Sequence, residues 1–217
     1  MYESANVSGE GTANNSFGER GTRLYFGMIS WLDARIGELL SFIADKGALD
    51  NTLIIYLTDN GAGLNDGKAH FSEAGMRTPI IANFPGRIPP TGLNPALVGE
   101  IDVYPTIMDY LGGPMLAWPD ARSFRALAEG TSTEWRKVYF NNLHVGGAVS
   151  VRDARYKLYT DALQQPRRVL DLETDPFEKT NLLGTQTGQV TIDRLLPVLK
   201  AWVARDWALL DQLVAAL

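Results

Sequence analysis

Asp50-Asn51-Thr52-Leu53-Ile54-Ile55-Tyr56-Leu57-Thr58-Asp59-Asn60-Gly61 is the stretch that decides the fold. Thr52 to Leu57 is a continuous β-branched and apolar run. It predicts a strand buried on both faces, inside a parallel or mixed sheet covered by helices. The run ends in a carboxylate, an amide and a glycine, and strand ends in open α/β sheets are where ligands and metals bind. Asp59 and Asn60 are oxygen donors of the kind a hard cation takes, although two adjacent donors do not complete its shell. Asp-Asn-Gly is also an ordinary turn, and on these three residues alone the turn is the commoner reading. Gly67-Lys68 and Glu73-Ala74-Gly75-Met76-Arg77-Thr78-Pro79 follow. Lys68 is a compact point charge suited to a tetrahedral oxyanion, whereas most loop lysines are simply exposed. Glu73 and Arg77 are four apart, the spacing at which side chains pair across one helical turn.

Upstream, Leu24, Met28, Leu32, Ile36, Leu39 and Ile43 recur at helical spacing, which stops near Lys46-Gly47. Downstream, Asn60 to Gly67 reads as a loop and Pro79 to Phe84 as a second buried strand. Pro85 to Pro95 is a Pro/Gly-rich connection. Ile101 to Leu111 is a helix with Asp102 near its start. Pro114 to Gly130 lacks periodicity and reads as a bridge. Strands are predicted at Lys137–Asn141, Ala148–Arg152, Tyr156–Thr160 and Arg168–Leu172, spaced for antiparallel hairpins. Ile192 to Leu217 is predicted as one long amphipathic helix, with Leu195, Leu199, Trp202, Val203, Trp207 and Leu210 on one side. Pro197 would kink it unless it lies in the first turn. This divides the chain into a mobile segment at 1–17, a helix-flanked sheet at 18–125 and a small α+β unit at 126–217.

Composition sets limits on function. A chain of 217 residues, 45% hydrophobic, can bury a full core. A net charge of -5 argues against a general nucleic-acid surface. No apolar run approaches the ~20 residues that span a bilayer. The absence of cysteine excludes disulfides, thiol catalysis and Cys-zinc sites. Met1 to Glu19 is polar and lacks a signal-peptide pattern.

In order and spacing these segments resemble the sulfatase family of the alkaline-phosphatase superfamily. The resemblance rests on the Asp59-Asn60-Gly61 run and on Tyr25–Gly37, Pro79–Gly86, Asp102–Gly112, Val151–Tyr159 and Leu170–Leu182. It implies an α/β fold: part of a mixed sheet flanked by helices, then a small antiparallel sheet packed on a long C-terminal helix. It implies Asp59 and Asn60 as metal ligands, most often for calcium, and Lys68 as a contact to the substrate sulfate. Glu73 and Arg77 would support the loop beneath the site, with Ala74 standing where the family usually has glycine. His70 lies two residues from Lys68. If the stretch is extended, both side chains face one way, and a histidine there would be placed to protonate a leaving group. The resemblance puts the catalytic histidine elsewhere, so His70 reads as a surface or supporting residue. His144 reads as packing or solvated. Asp102, Asp171 and Asp175 read as turn and cap residues, and Trp31, Trp118, Trp135, Trp202 and Trp207 as packing.

One absence matters equally. Sulfatases hydrolyse their ester with a formylglycine made from the Cys or Ser of a Cys-x-Pro-Ser-Arg-type motif, and this chain has none. The resemblance places that motif, two further aspartate ligands and the catalytic histidine before residue 1. The chain therefore reads as the C-terminal part of a sulfuric ester hydrolase, inactive alone. Completed by an N-terminal part, it would act on a sulfate-ester small molecule or glycan. Two alternatives stand beside this. One is a phosphodiesterase or phosphonate hydrolase of the same superfamily. The other is a non-catalytic binding protein that keeps the fold and is a stable monomer. The fragment reading instead predicts exposed apolar faces and sheet edges.

Overall fold

The computed structural model describes residues 18–63, 67–114, 118–142 and 147–217, with side chains from residue 21. The first element is a 28-residue helix, α1 (Gly18–Asp45). It stops where the sequence says it should. Gly47 adopts φ +66, its N–H donates to Ala44 O at 2.8 Å, and Ala48 N–H reaches back to Ile43 O at 3.1 Å. These bonds satisfy carbonyls that the helix end would otherwise orphan. Along α1, Leu24, Met28, Trp31, Leu39 and Phe42 are each more than half exposed.

Strand β1 (Ile54–Leu57) pairs antiparallel with β2 (Ile80–Asn83), in the register Ile54↔Asn83 to Leu57↔Ile80. Among the described residues these two form a sheet of their own. Their side chains are half-buried rather than enclosed on both faces, and Ile81 is 58% exposed. Full burial is not reached because the described residues supply no further strand beside them. Between β1 and β2 lies one helical turn, α2 (Glu73–Met76), capped by the Ser72 hydroxyl accepting from Gly75 N–H at 3.2 Å.

A 3-10 turn at Glu100–Asp102 leads into α3 (Val103–Leu111). Asp102 is completely buried and fully engaged. Its Oδ2 accepts from Gly99 N–H, and its Oδ1 from Arg122 N–H and from Arg136. The predicted bridge contains one more helical turn, α4 (Arg125–Ala128).

The second unit is a meander of β3 (Tyr139–Asn142), β4 (Val149–Arg152), β5 (Tyr156–Thr160) and β6 (Pro166–Asp171), each antiparallel to the next. Residues opposite one another share a face. One face carries Val151, Leu158 and Val169. It packs against Leu195, Val198, Leu199 and Ala201 of α5 (Gln186–Val203) and Leu210 of α6 (Trp207–Ala215). The other face carries Ser150, Lys157, Tyr159 and Leu170, all buried. That face does not meet solvent; it meets residues 71–76 and 178.

Two expectations need correction. The C-terminal helix is two helices. Arg205 takes a left-handed φ of +56, and Asp206 caps α6 by accepting from Leu209 N–H at 3.1 Å. Pro197 lies in the body of α5 rather than in its first turn. The tryptophans also divide. Trp202 stacks on Phe140 with centroids 4.8 Å apart and donates to Asp120 Oδ1, and Trp135 donates to Leu97 O. Trp31 and Trp118 instead are mostly exposed.

Candidate functional site

The candidate site begins where β1 ends. Asp59 is exposed and Asn60 half-buried. The Asn60 amide Nδ2 donates to Gly61 O at 3.0 Å, which leaves Oδ1 as its acceptor. Gly61 N–H donates to Gly75 O at 2.8 Å and so closes the loop into a ring of backbone. Only glycine fits at either end. A Cβ on Gly61 would sit 1.7 Å from Ala74 O, and one on Gly75 would sit 2.3 Å from Gly67 O and 2.4 Å from His70 O. Gly75 therefore touches both arms of the loop, the one carrying Asn60 and the one carrying Lys68.

Lys68 is exposed, with its backbone N–H donating to Ala62 O at 2.9 Å. His70 is also exposed. The stretch between them is a turn rather than an extended strand: Ala69 adopts φ +68 and His70 N–H donates to Gly67 O at 3.1 Å. The period-two argument for both side chains facing one way therefore does not apply here.

Glu73 turns both carboxylate oxygens to the small sheet instead of to Arg77. Its Oε2 accepts from Arg152 at 2.6 Å and its Oε1 from Lys157 Nζ at 2.9 Å. Burial pushes this carboxyl up, but the charges and hydrogen bonds of Lys157 and Arg152 outweigh it and hold it below the usual range. Arg77 is exposed and ends α2, its N–H donating to Glu73 O at 2.9 Å.

Glu100 was not singled out from the sequence. Its carboxyl is pushed up by partial burial and by the charge of Asp59 nearby. Its only sequence signal is a place two residues before Asp102. The exposed Asp59 carboxylate and the Asn60 amide oxygen make a hard donor set of the kind a divalent cation takes. It is smaller than a full coordination shell, and the described residues hold no group of three metal-ligating carboxylate or imidazole side chains. His144 lies outside the described residues. Asp171 receives both ends of the Arg155 guanidinium, at 3.0 and 2.7 Å, and Asp175 accepts from Thr180 N–H at 2.6 Å. Among the described residues, no helix is long and apolar enough to cross a membrane.

Comparison with known proteins places this chain in a lineage. The family model Sulfatase matches residues 2–113. That of N-sulphoglucosamine sulphohydrolase, C-terminal, matches residues 62–203. Choline-sulfatase of Rhizobium meliloti (strain 1021) is 32% identical over 180 residues, covering 79% of this chain and 35% of its own length. A solved structure in complex with its substrate D-glucosamine-2-N,6-O-disulfate superposes with a TM-score of 0.73 at 24% identity, covering 82% of this chain and 40% of that one. The phosphonate monoester hydrolase of Silicibacter pomeroyi gives the same TM-score at 23% identity, covering 85% and 41%. The two structures share the alkaline-phosphatase-like fold with this chain, and the chain spans well under half the length of all three proteins. The order of its segments, its two family matches and its fold agree: the chain belongs to the sulfatase family of the alkaline-phosphatase superfamily.

Proposed function

We propose that this chain supplies the C-terminal part of a sulfuric ester hydrolase. The observation that carries the reading is the ring closed by Gly61 and Gly75, which holds the Asp59-Asn60 strand end and Lys68 on one loop. Asp59 and the Asn60 amide oxygen would hold a divalent cation, calcium by family habit. When bound, such a cation polarises the sulfate oxygens and neutralises developing charge. Lys68 would bind a sulfate oxygen as a fixed positive charge. Glu73 would keep the loop in place through Arg152 and Lys157, and Arg77 would end the turn beneath it. His70 has no assigned step in this reading.

The substrate class is a sulfated small molecule or glycan. Choline-sulfatase and the structure bound to a disulfated glucosamine span that range. The nucleophile and the remaining ligands would come from residues before this chain, so the 217-residue chain alone turns over no ester. The apolar stripe of α1 and the uncovered faces of β1 and β2 support this, since they are surfaces that a larger domain would bury. A phosphonate monoester hydrolase reading shares the same fold likeness, and the nucleophile separates the two.

The test has two steps. The coding DNA upstream of the Met1 codon is read in frame for a Cys- or Ser-x-Pro-Ser-Arg stretch. The longer product is then assayed on 4-nitrophenyl sulfate and on a phosphonate monoester. The expected result is metal-dependent sulfatase activity that falls about 100-fold or more in Lys68→Ala, the size of effect seen for one oxyanion donor. Preference for the phosphonate, or full activity in Lys68→Ala, overturns it.

A further inference from the structure

The small sheet is unusual in burying a lysine on its polar face. Lys157 has no exposed surface. Its Nζ lies 2.9 Å from Glu73 Oε1 and 3.1 Å from Glu178 Oε1. Glu178, itself buried, accepts Glu73 N–H through its other oxygen at 2.9 Å. The Tyr159 hydroxyl lies 2.7 Å from Phe71 O and 2.8 Å from Glu178 Oε1. Arg168 donates to Glu178 O at 2.6 Å. The Phe71 ring packs on Tyr159 with centroids 5.6 Å apart and closes the assembly from the apolar side.

Buried charges persist only when paired and hydrogen-bonded. Here the pairing is distributed across two parts of the chain. Glu73 opens α2, and two residues later Gly75 is in contact with Gly61 and Gly67, the immediate neighbours of Asn60 and Lys68. A displacement of Glu73 is therefore a displacement of both arms of the candidate site. Buried ion pairs contribute little net stability compared with apolar packing, and their better-attested use is to fix one arrangement among several.

We propose that Lys157, Glu73 and Glu178 form an ionic clamp through which the C-terminal sheet sets the position of the loop carrying Asn60 and Lys68. Lys157 is thus a positioning residue, more than 85 positions from both in sequence. This rests on the reading above that the loop binds a sulfate oxygen.

The test uses the 217-residue chain and two readouts. Amide exchange is followed over 61–77, with α5 as the control for an intact fold. Backbone amide shifts of Gly67, Lys68 and His70 are followed during titration with inorganic sulfate. The expected result in Lys157→Met is at least about 10-fold faster exchange over 61–77, unchanged exchange in α5, and loss of the sulfate response. Glu178→Gln keeps an oxygen for the Glu73 amide and replaces the oxygen that accepts from Lys157 and Tyr159 with an amide NH2. It serves where Lys157→Met fails to fold, and it gives the same localised loosening. Wild-type exchange over 61–77 in a folded variant overturns the clamp. Localised loosening without any sulfate response in the wild type supports the clamp and overturns sulfate binding by this loop.

Discussion

Replacing Gly61 with alanine adds one carbon to the tightest point of the candidate site. In the present backbone that carbon would stand 1.7 Å from Ala74 O, 2.8 Å from Ala74 C and 2.9 Å from Gly75 Cα. All three are main-chain atoms, so no rotamer change relieves the overlap. A carbon and a carbonyl oxygen settle at about 3.3 Å or beyond. The two ends of the loop must therefore part by roughly 1.5 Å, and the 2.8 Å bond from Gly61 N–H to Gly75 O breaks. Overpacking costs about 1–3 kcal/mol, and a lost hydrogen bond about 1 kcal/mol. The expected destabilisation in Gly61→Ala is thus about 2–4 kcal/mol. Urea unfolding followed by tryptophan fluorescence measures it. With a slope of about 2 kcal/mol per molar urea, the midpoint falls by about 1–2 M. The amide at position 61 should lose its exchange protection in the same variant. A wild-type midpoint together with a protected amide at position 61 would refute the reasoning, because it would mean the loop ends are not in contact.

Three further outcomes follow from the same structure. Asp102→Asn should cost about 3–5 kcal/mol in urea unfolding: both carboxylate oxygens accept from donors, so one Asn nitrogen must face an N–H in either orientation. Leu195→Ala, at a fully buried position between α5 and the sheet, should cost about 2–5 kcal/mol and lower the melting temperature without altering the sulfate response. The Glu73 carboxyl is held below its ordinary 4.5 in the folded chain. Its contribution is therefore complete above about pH 4.5 and is lost as pH falls through the folded value. Stability measured across this range should drop on the acid side, and Glu73→Gln should flatten that drop.

Much of this could be read along the chain, because it depended on neighbours in sequence. The end of α1 was marked by Lys46-Gly47, and Gly47 does supply the left-handed turn. The four strands of the small sheet lie within two residues of their predicted positions, since apolar alternation and turn residues bound them locally. What failed depended on distance or on spacing that misleads. Trp207 and Leu210 keep the apolar rhythm of α5, so nothing in the pattern shows that Arg205 reverses the backbone between two helices. Ser150, Lys157, Tyr159 and Arg168 alternate with Val151, Leu158 and Val169, so they lie on the opposite face from those apolar residues. The buried Lys157 and Tyr159 are matched by Glu73 and Glu178, partners that no local window around β5 contains. Glu73 and Arg77 have ideal helical spacing, yet α2 is a single turn and the stronger cations lie across the sheet.

The bond between Glu73 N–H and Glu178 joins residues 105 positions apart. At ribosomal rates of about 5–20 residues per second, Glu178 is made about 5–20 s after Glu73. Throughout that interval the segment bearing Lys68 has its sequence but not its seat. Lys157 and Glu178, both made well after Lys68, supply the contacts to Glu73 at the end of that segment. A nascent chain interrupted before Glu178 would hold Glu73 through Arg152 and Lys157 alone, without the acceptor for the Glu73 N–H or the second carboxylate beside Lys157.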